Sequence, residues 1–96
     1  MGQGVVQDDF KAVELFTLSA EQGYAPAQMS LGHMYENGFG IEPDQERAFM
    51  WYAISSSADK SGKTMLELLK AHMTDDQITV ARSLVDRCLQ SNFTNC

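Results

Sequence analysis

Basic residues are scarce in this chain: seven Lys and Arg face thirteen Asp and Glu, for a formal net charge of −6. A nucleic-acid binder needs a positive field to displace counterions, and the sequence offers none. Cysteine is also scarce. Cys88 and Cys96 are too few for a disulfide framework. Cys88 lies on an apolar helical face, where a buried reduced thiol is expected, and Cys96 is expected to be mobile. No apolar run approaches the roughly 18 residues of a membrane-spanning helix. The start, Met1-Gly2-Gln3-Gly4 followed by Asp8-Asp9, lacks the basic and then apolar run of a secretory signal. Compartment stays open: cytoplasmic if Met1 is the true start, periplasmic or secreted if a further segment precedes it. The sequon Asn92-Phe93-Thr94 is short enough to arise by chance.

What is present is one domain's worth of chain, 96 residues with a hydrophobic fraction of 44%, enough for a packed core. The acidity is uneven. Residues 1–40 hold five acids and one base, Lys11, whereas residues 41–96 hold eight acids and six bases.

Laid over itself at a shift of 36 residues, the chain matches itself. Gly4 falls on Gly40, Val5 on Ile41, Asp8 on Asp44, Lys11 on Arg47 and Ala12 on Ala48. Val13 then falls on Phe49, Leu15 on Trp51, Phe16 on Tyr52, Leu18 on Ile54 and Ser19 on Ser55. Self-similarity at a fixed period marks stacked-repeat proteins, and a chance helical pattern would not also carry the upstream Gly and Asp.

Both copies read as helices. Ala12, Leu15, Phe16, Ser19 and Ala20 step by three and four, onto one helical side. Asp8 or Asp9 stands where a carboxylate meets the positive end of the helix dipole, and Gly23 ends the segment. The second copy is expected to start near Pro43-Asp44, with Pro at the first helical position. It carries Ala48, Trp51, Tyr52 and Ser55 on the matching face. Phe49, Met50 and Ile54 make its other sides apolar too, so it is expected to lie between neighbours. The first copy has Glu14 at the Met50 position and is expected nearer an edge. Between them, Ala27, Leu31, Met34 and Tyr35 share a face of a third helix. Gly32 there predicts close approach of a neighbour, and Gly38 suits a left-handed helix end.

The run Ala27-x-x-x-Leu31-Gly32-x-Met34-Tyr35-x-x-Gly38-x-Gly40-Ile41-x-x-Asp44-x-x-x-Ala48-x-x-Trp51-Tyr52 resembles the Sel-one-like repeat, a cousin of the tetratricopeptide repeat. A half unit, Gly4-Val5-x-x-Asp8-x-x-x-Ala12-x-x-Leu15-Phe16, reinforces it. The resemblance implies an all-α solenoid of antiparallel helix hairpins, with about five helices. Residues 1–24 would be the second half of one repeat and 25–58 a full repeat. Residues 59–73 would be a degenerate repeat helix carrying Met65, Leu66, Leu68, Leu69 and Met73. Residues 74–91 would form a C-terminal cap helix and 92–96 a tail. Thr74 with Gln77 makes a capping box. Ile78, Ala81, Leu84, Val85, Cys88 and Leu89 follow on one side of the cap helix. Met73-Thr74-x-x-Gln77-Ile78-x-x-Ala81 is similar to the closing helix of many bacterial members of the family. The chain opens in mid-unit, so Met1 is expected to be an internal start with further repeats upstream. Phe10, Val13 and Leu18 are then expected to be partly exposed, or to pair with a second copy in a homodimer through the uncapped N-terminal edge.

Signals of catalysis are weak. Gly62-Lys63-Thr64 resembles the tail of a phosphate-binding loop, but Ser57 stands where its first glycine belongs and a helix, not a strand, precedes it. His33 with Glu36, and His72 with Asp75 and Asp76, fall short of a metal ligand set. No Ser or Cys has a recognisable base partner. A cysteine-rich branch of the family has been linked to penicillin binding and β-lactam hydrolysis, but the repeat unit here has no cysteine. The expectation is a non-catalytic adaptor for a protein or peptide partner, with no cofactor, metal or nucleic acid. The alternatives are a cell-envelope ligand-binding or β-lactam-hydrolysing protein of the cysteine-rich branch, and a purely structural C-terminal cap of a longer scaffold. The first helix of each hairpin lines the concave side of such a solenoid. Met29, His33 and Glu36, extended by Glu67 and Lys70, are the candidate contact residues.

Overall fold

The computed structural model describes residues 9–96, so the Gly4 and Asp8 positions of the repeat lie outside the described residues. Within them the chain forms five α-helices and no strand: α1 (Asp9–Glu21), α2 (Ala25–Asn37), α3 (Gln45–Ser56), α4 (Lys60–Lys70) and α5 (Asp75–Gln90).

Each boundary has a local cause. Pro26 sits in the first turn of α2, where its missing N–H is no loss. Gly38 ends α2 at φ 75°, a left-handed conformation that a side chain disfavours, and returns its N–H to the Met34 carbonyl. The Asp44 carboxylate accepts from the Arg47 N–H and caps α3, which begins at Gln45. Pro43 therefore precedes the cap instead of holding the first helical position, because the Asp44 side chain takes over the capping. Asp59 caps α4 by accepting from the Ser61 N–H. Thr74 and Gln77 cap α5 reciprocally, as the capping box requires.

α3 is the central element, packed against α2, α4 and α5. Ala48, Phe49, Met50, Trp51, Tyr52, Ile54 and Ser55 are all buried along it. Two apolar clusters flank it. One gathers Ala20, Ala27, Leu31, Met50, Trp51, Ile54 and Cys88; the other gathers Ala48, Phe49, Tyr52, Leu69 and Ala81. Tyr35 touches both. Helix crossings are tight at two glycines. A Cβ on Gly32 would stand 2.8 Å from the Tyr52 ring and 3.3 Å from the Ala48 carbonyl oxygen. One on Gly62 would collide with the Ser55 hydroxyl. The glycine of the loop-like Gly62-Lys63-Thr64 run is thus a packing residue inside α4.

α1 packs on α2 alone to any extent. Val13 and Phe16 are half-buried against the first cluster and Ala20 is fully buried in it. Gln28, itself buried, donates from Nε2 to the Ala20 carbonyl at 3.1 Å and ties α2 to the end of α1. The packed face is rotated from the expected one. Leu15, expected to match Trp51, is 54% exposed where Trp51 is 3%. α1 packs mainly on α2, and Leu15 stays largely in solvent. Phe10 and Leu18 are exposed and Val13 is partly exposed, as expected, with the rest of Val13 packed against the first cluster.

Two expectations for the C-terminal part need correction. Leu89, placed with the apolar side of α5, is exposed, because it lies a position beyond the arc that Ala81, Val85 and Cys88 press onto the clusters. Cys88 is buried as expected but is not a free thiol, and Cys96 is not loose: the two form a disulfide. The chain reverses after α5 through Asn92 and Phe93, both at positive φ, and this brings the Cys96 Cα to 4.5 Å from that of Cys88.

Candidate functional site

One concavity is a groove of about 470 Å³ whose walls come from all of the first four helices. α1 supplies Asp9 and Phe16; α2 supplies Met29, Ser30, His33 and Met34. Tyr52 of α3 forms part of the wall, Met65 of α4 closes one side, and Phe39 reaches in from the α2–α3 turn. Three of the six methionines of the chain therefore face one groove. An unbranched thioether adapts to differently shaped apolar partners, which suits a surface that accepts a side chain from another molecule.

Polar order at the groove comes from α2. The Tyr52 hydroxyl donates to Glu36 Oε1 at 2.7 Å, across the α2–α3 crossing that Gly32 permits. Burial, and then the hydrogen bond to Glu36 and its charge, push the Tyr52 phenol above its ordinary value of 10.0. Burial also raises the Tyr35 phenol, with nearby Arg47 opposing and Asp44 adding to the shift. Asn37 Nδ2 lies 2.9 Å from the His33 carbonyl oxygen, to which it donates, and 3.3 Å from His33 Nδ1. The His33 ring stands 5.8 Å from that of Phe39, tilted by 57°.

Of the five residues singled out from sequence, Met29 and His33 line this groove. Glu36 contributes through Tyr52. Glu67 and Lys70 pair with each other at 3.7 Å on α4. Glu67 lines a separate, more open depression of about 590 Å³ with Lys60, Lys63, Thr64 and Leu68. Sequence reasoning missed Asp9, Ser30, Met34, Phe39 and Met65 as groove residues, and gave Phe16 and Tyr52 a structural role only. One signal was available: Met65 lies one 36-residue period beyond Met29, so extending the repeat past residue 60 would have set the two opposite each other.

Among the described residues no cluster of three or more His, Cys, Asp or Glu could hold a metal ion, and no helix is long and apolar enough to cross a membrane.

Antiparallel hairpins packed in sequence, with an open apolar groove across successive helices, define a helical-repeat scaffold. The Sel1 repeat family model matches residues 1–24 and 25–60, and the chain belongs to that family. No solved structure matches it. Sel1 repeats generally mediate protein–protein interaction, and the family is typically non-catalytic.

Proposed function

We propose that the chain is a non-catalytic adaptor that takes an extended or helical segment of a protein partner into the groove walled by Met29, His33, Met34 and Met65. The observation that carries this reading is the convergence of three methionines and the Phe16 and Phe39 rings on one open, apolar surface. Asp9 in its wall and the Glu36 carboxylate at its edge, in a chain of net charge −6, favour a segment with an apolar anchor and flanking positive charge. The Glu67–Lys70 pair, on the same helix as Met65, is a further contact in this reading.

The test is an NMR titration with two probe peptides, each with one central Phe or Leu, flanked by lysines in one and by glutamates in the other. The lysine-flanked peptide is expected to shift the Met29, Met34 and Met65 methyl resonances, and the glutamate-flanked one to bind more weakly. Met65→Glu should weaken binding about tenfold or more, in line with a buried unpaired charge, while Lys63→Ala in the separate depression leaves it unchanged. Equal loss with both variants, or shifts confined to α5, contradicts the reading.

Residues 59–73 and 74–91 serve, in the same reading, as a degenerate repeat helix and a closing helix. The polar outer side of α5, with Asp76, Thr79, Ser83, Asp86 and Gln90 all exposed, supports it. Were the chain only a structural cap of a longer scaffold, the probe peptides would find no site on it.

A further inference from the structure

The last six residues form a folded-back tail. Phe93 and Cys96 pack against the first apolar cluster, the one that contains Trp51 and Cys88. Phe93 reaches the α1–α2 turn: a Cβ on Gly23 would stand 3.5 Å from Phe93 Cε2. Arg47 of α3 donates from its guanidinium to the Cys96 carbonyl oxygen. The tail therefore bridges α5, α3 and the first hairpin. It does so through an unfavourable backbone, since Asn92 at φ 56° and Phe93 at φ 68° both carry a Cβ in the left-handed region. Such a turn persists only where its surroundings over-determine it, and the covalent bond between Cys88 and Cys96 is one of the constraints that hold it.

We infer that the Cys88–Cys96 disulfide is a redox latch, which when closed holds Phe93 over the flank of the core and when opened releases residues 91–96. Access fixes the order of events. Cys88 is fully buried and Cys96 only partly buried, so a dithiol reductant attacks the more accessible Cys96 sulfur with its thiolate. The S–S bond breaks, Cys88 leaves as thiolate and takes up a proton, and a mixed disulfide with Cys96 remains. The second thiol of the reductant then displaces Cys96, giving two protein thiols and one oxidised dithiol. An oxidising compartment keeps the latch shut, and a dithiol-rich one opens it. This inference is independent of the groove and its partner.

The experiment is amide hydrogen exchange on the full chain before and after addition of dithiothreitol, with free thiols counted alongside and helicity followed by circular dichroism. The oxidised chain should show no titratable thiol. It should also show protection at the Phe93 N–H, which donates to the Cys88 carbonyl at 2.9 Å, and at the Asn95 N–H, which donates to Ser91 Oγ at 2.8 Å. Reduction should speed exchange at both about tenfold or more, leave α2–α4 helical, and reverse on reoxidation. Cys96→Ser should reproduce the open state without reductant. Two free thiols in the unreduced chain would overturn the latch. So would unchanged protection of the tail after reduction, or loss of α2–α4 together with it.

Discussion

α1 and α3 carry the same apolar pattern one period apart, yet one is a surface helix and the other the centre of the molecule. α3 has α2, α4 and α5 around it and buries seven residues, whereas α1 rests on α2 and buries one completely. The motif specifies a helix with apolar flanks. Whether those flanks are hidden depends on how many neighbours the position in the stack supplies, as expected where each unit contacts only those beside it. Leu15 and Trp51 show this directly: equivalent in the repeat, they have opposite surroundings.

Substitutions at equivalent positions sharpen the comparison. The largest effect is expected at Trp51. Trp51→Ala should cost about 3–5 kcal/mol in urea unfolding, whereas Leu15→Ala should cost about 0.5 kcal/mol or less. Similar losses at both sites would break the asymmetry. Next is the α2–α3 crossing. Gly32→Ala forces a methyl into the Tyr52 ring and should destabilise by about 1–3 kcal/mol, measured as a fall in urea midpoint at unchanged slope.

A smaller effect belongs to the Tyr52–Glu36 hydrogen bond, for which α1 shows no counterpart because Phe16 holds the equivalent position. Tyr52→Phe should cost about 1 kcal/mol at neutral pH. The phenol is held protonated in the folded chain above its ordinary value of 10.0, so the unfolded chain loses that proton first as pH rises. The associated stability is complete below pH 10.0 and declines above it. Unfolding midpoints measured from pH 8 to 11 should show that decline in the native sequence and a shallower one in Tyr52→Phe; parallel curves would exclude the linkage. Smallest is the exposed cap of α5: Thr74→Ala removes the hydroxyl that accepts from the Gln77 N–H and should cost about 1 kcal/mol or less.

Much of the fold was legible because the repeat states each feature twice. The period located α1 and α3, Gly32 announced the close crossing, and Gly38 and Thr74 marked helix ends, all before any packing was known. Leu15 was misplaced because periodicity identifies an apolar arc but not which part of it packs against a neighbour. The disulfide was not legible, because a separation of eight residues reads as more helix unless the reversal at Asn92-Phe93 is foreseen, and neither residue is a glycine. The groove was half legible. Met29 and His33 share a helix and a face, but Met65 and Phe16 join them only through the packing of helices distant in sequence.

The most direct test of the central claim, that burial follows position in the stack and not the motif, is native-state hydrogen exchange resolved along the chain under increasing urea. Amides of α3 are expected to exchange only through global unfolding, while those of α1 open in a separate, lower-energy step. Equal opening free energies for α1 and α3 would contradict it.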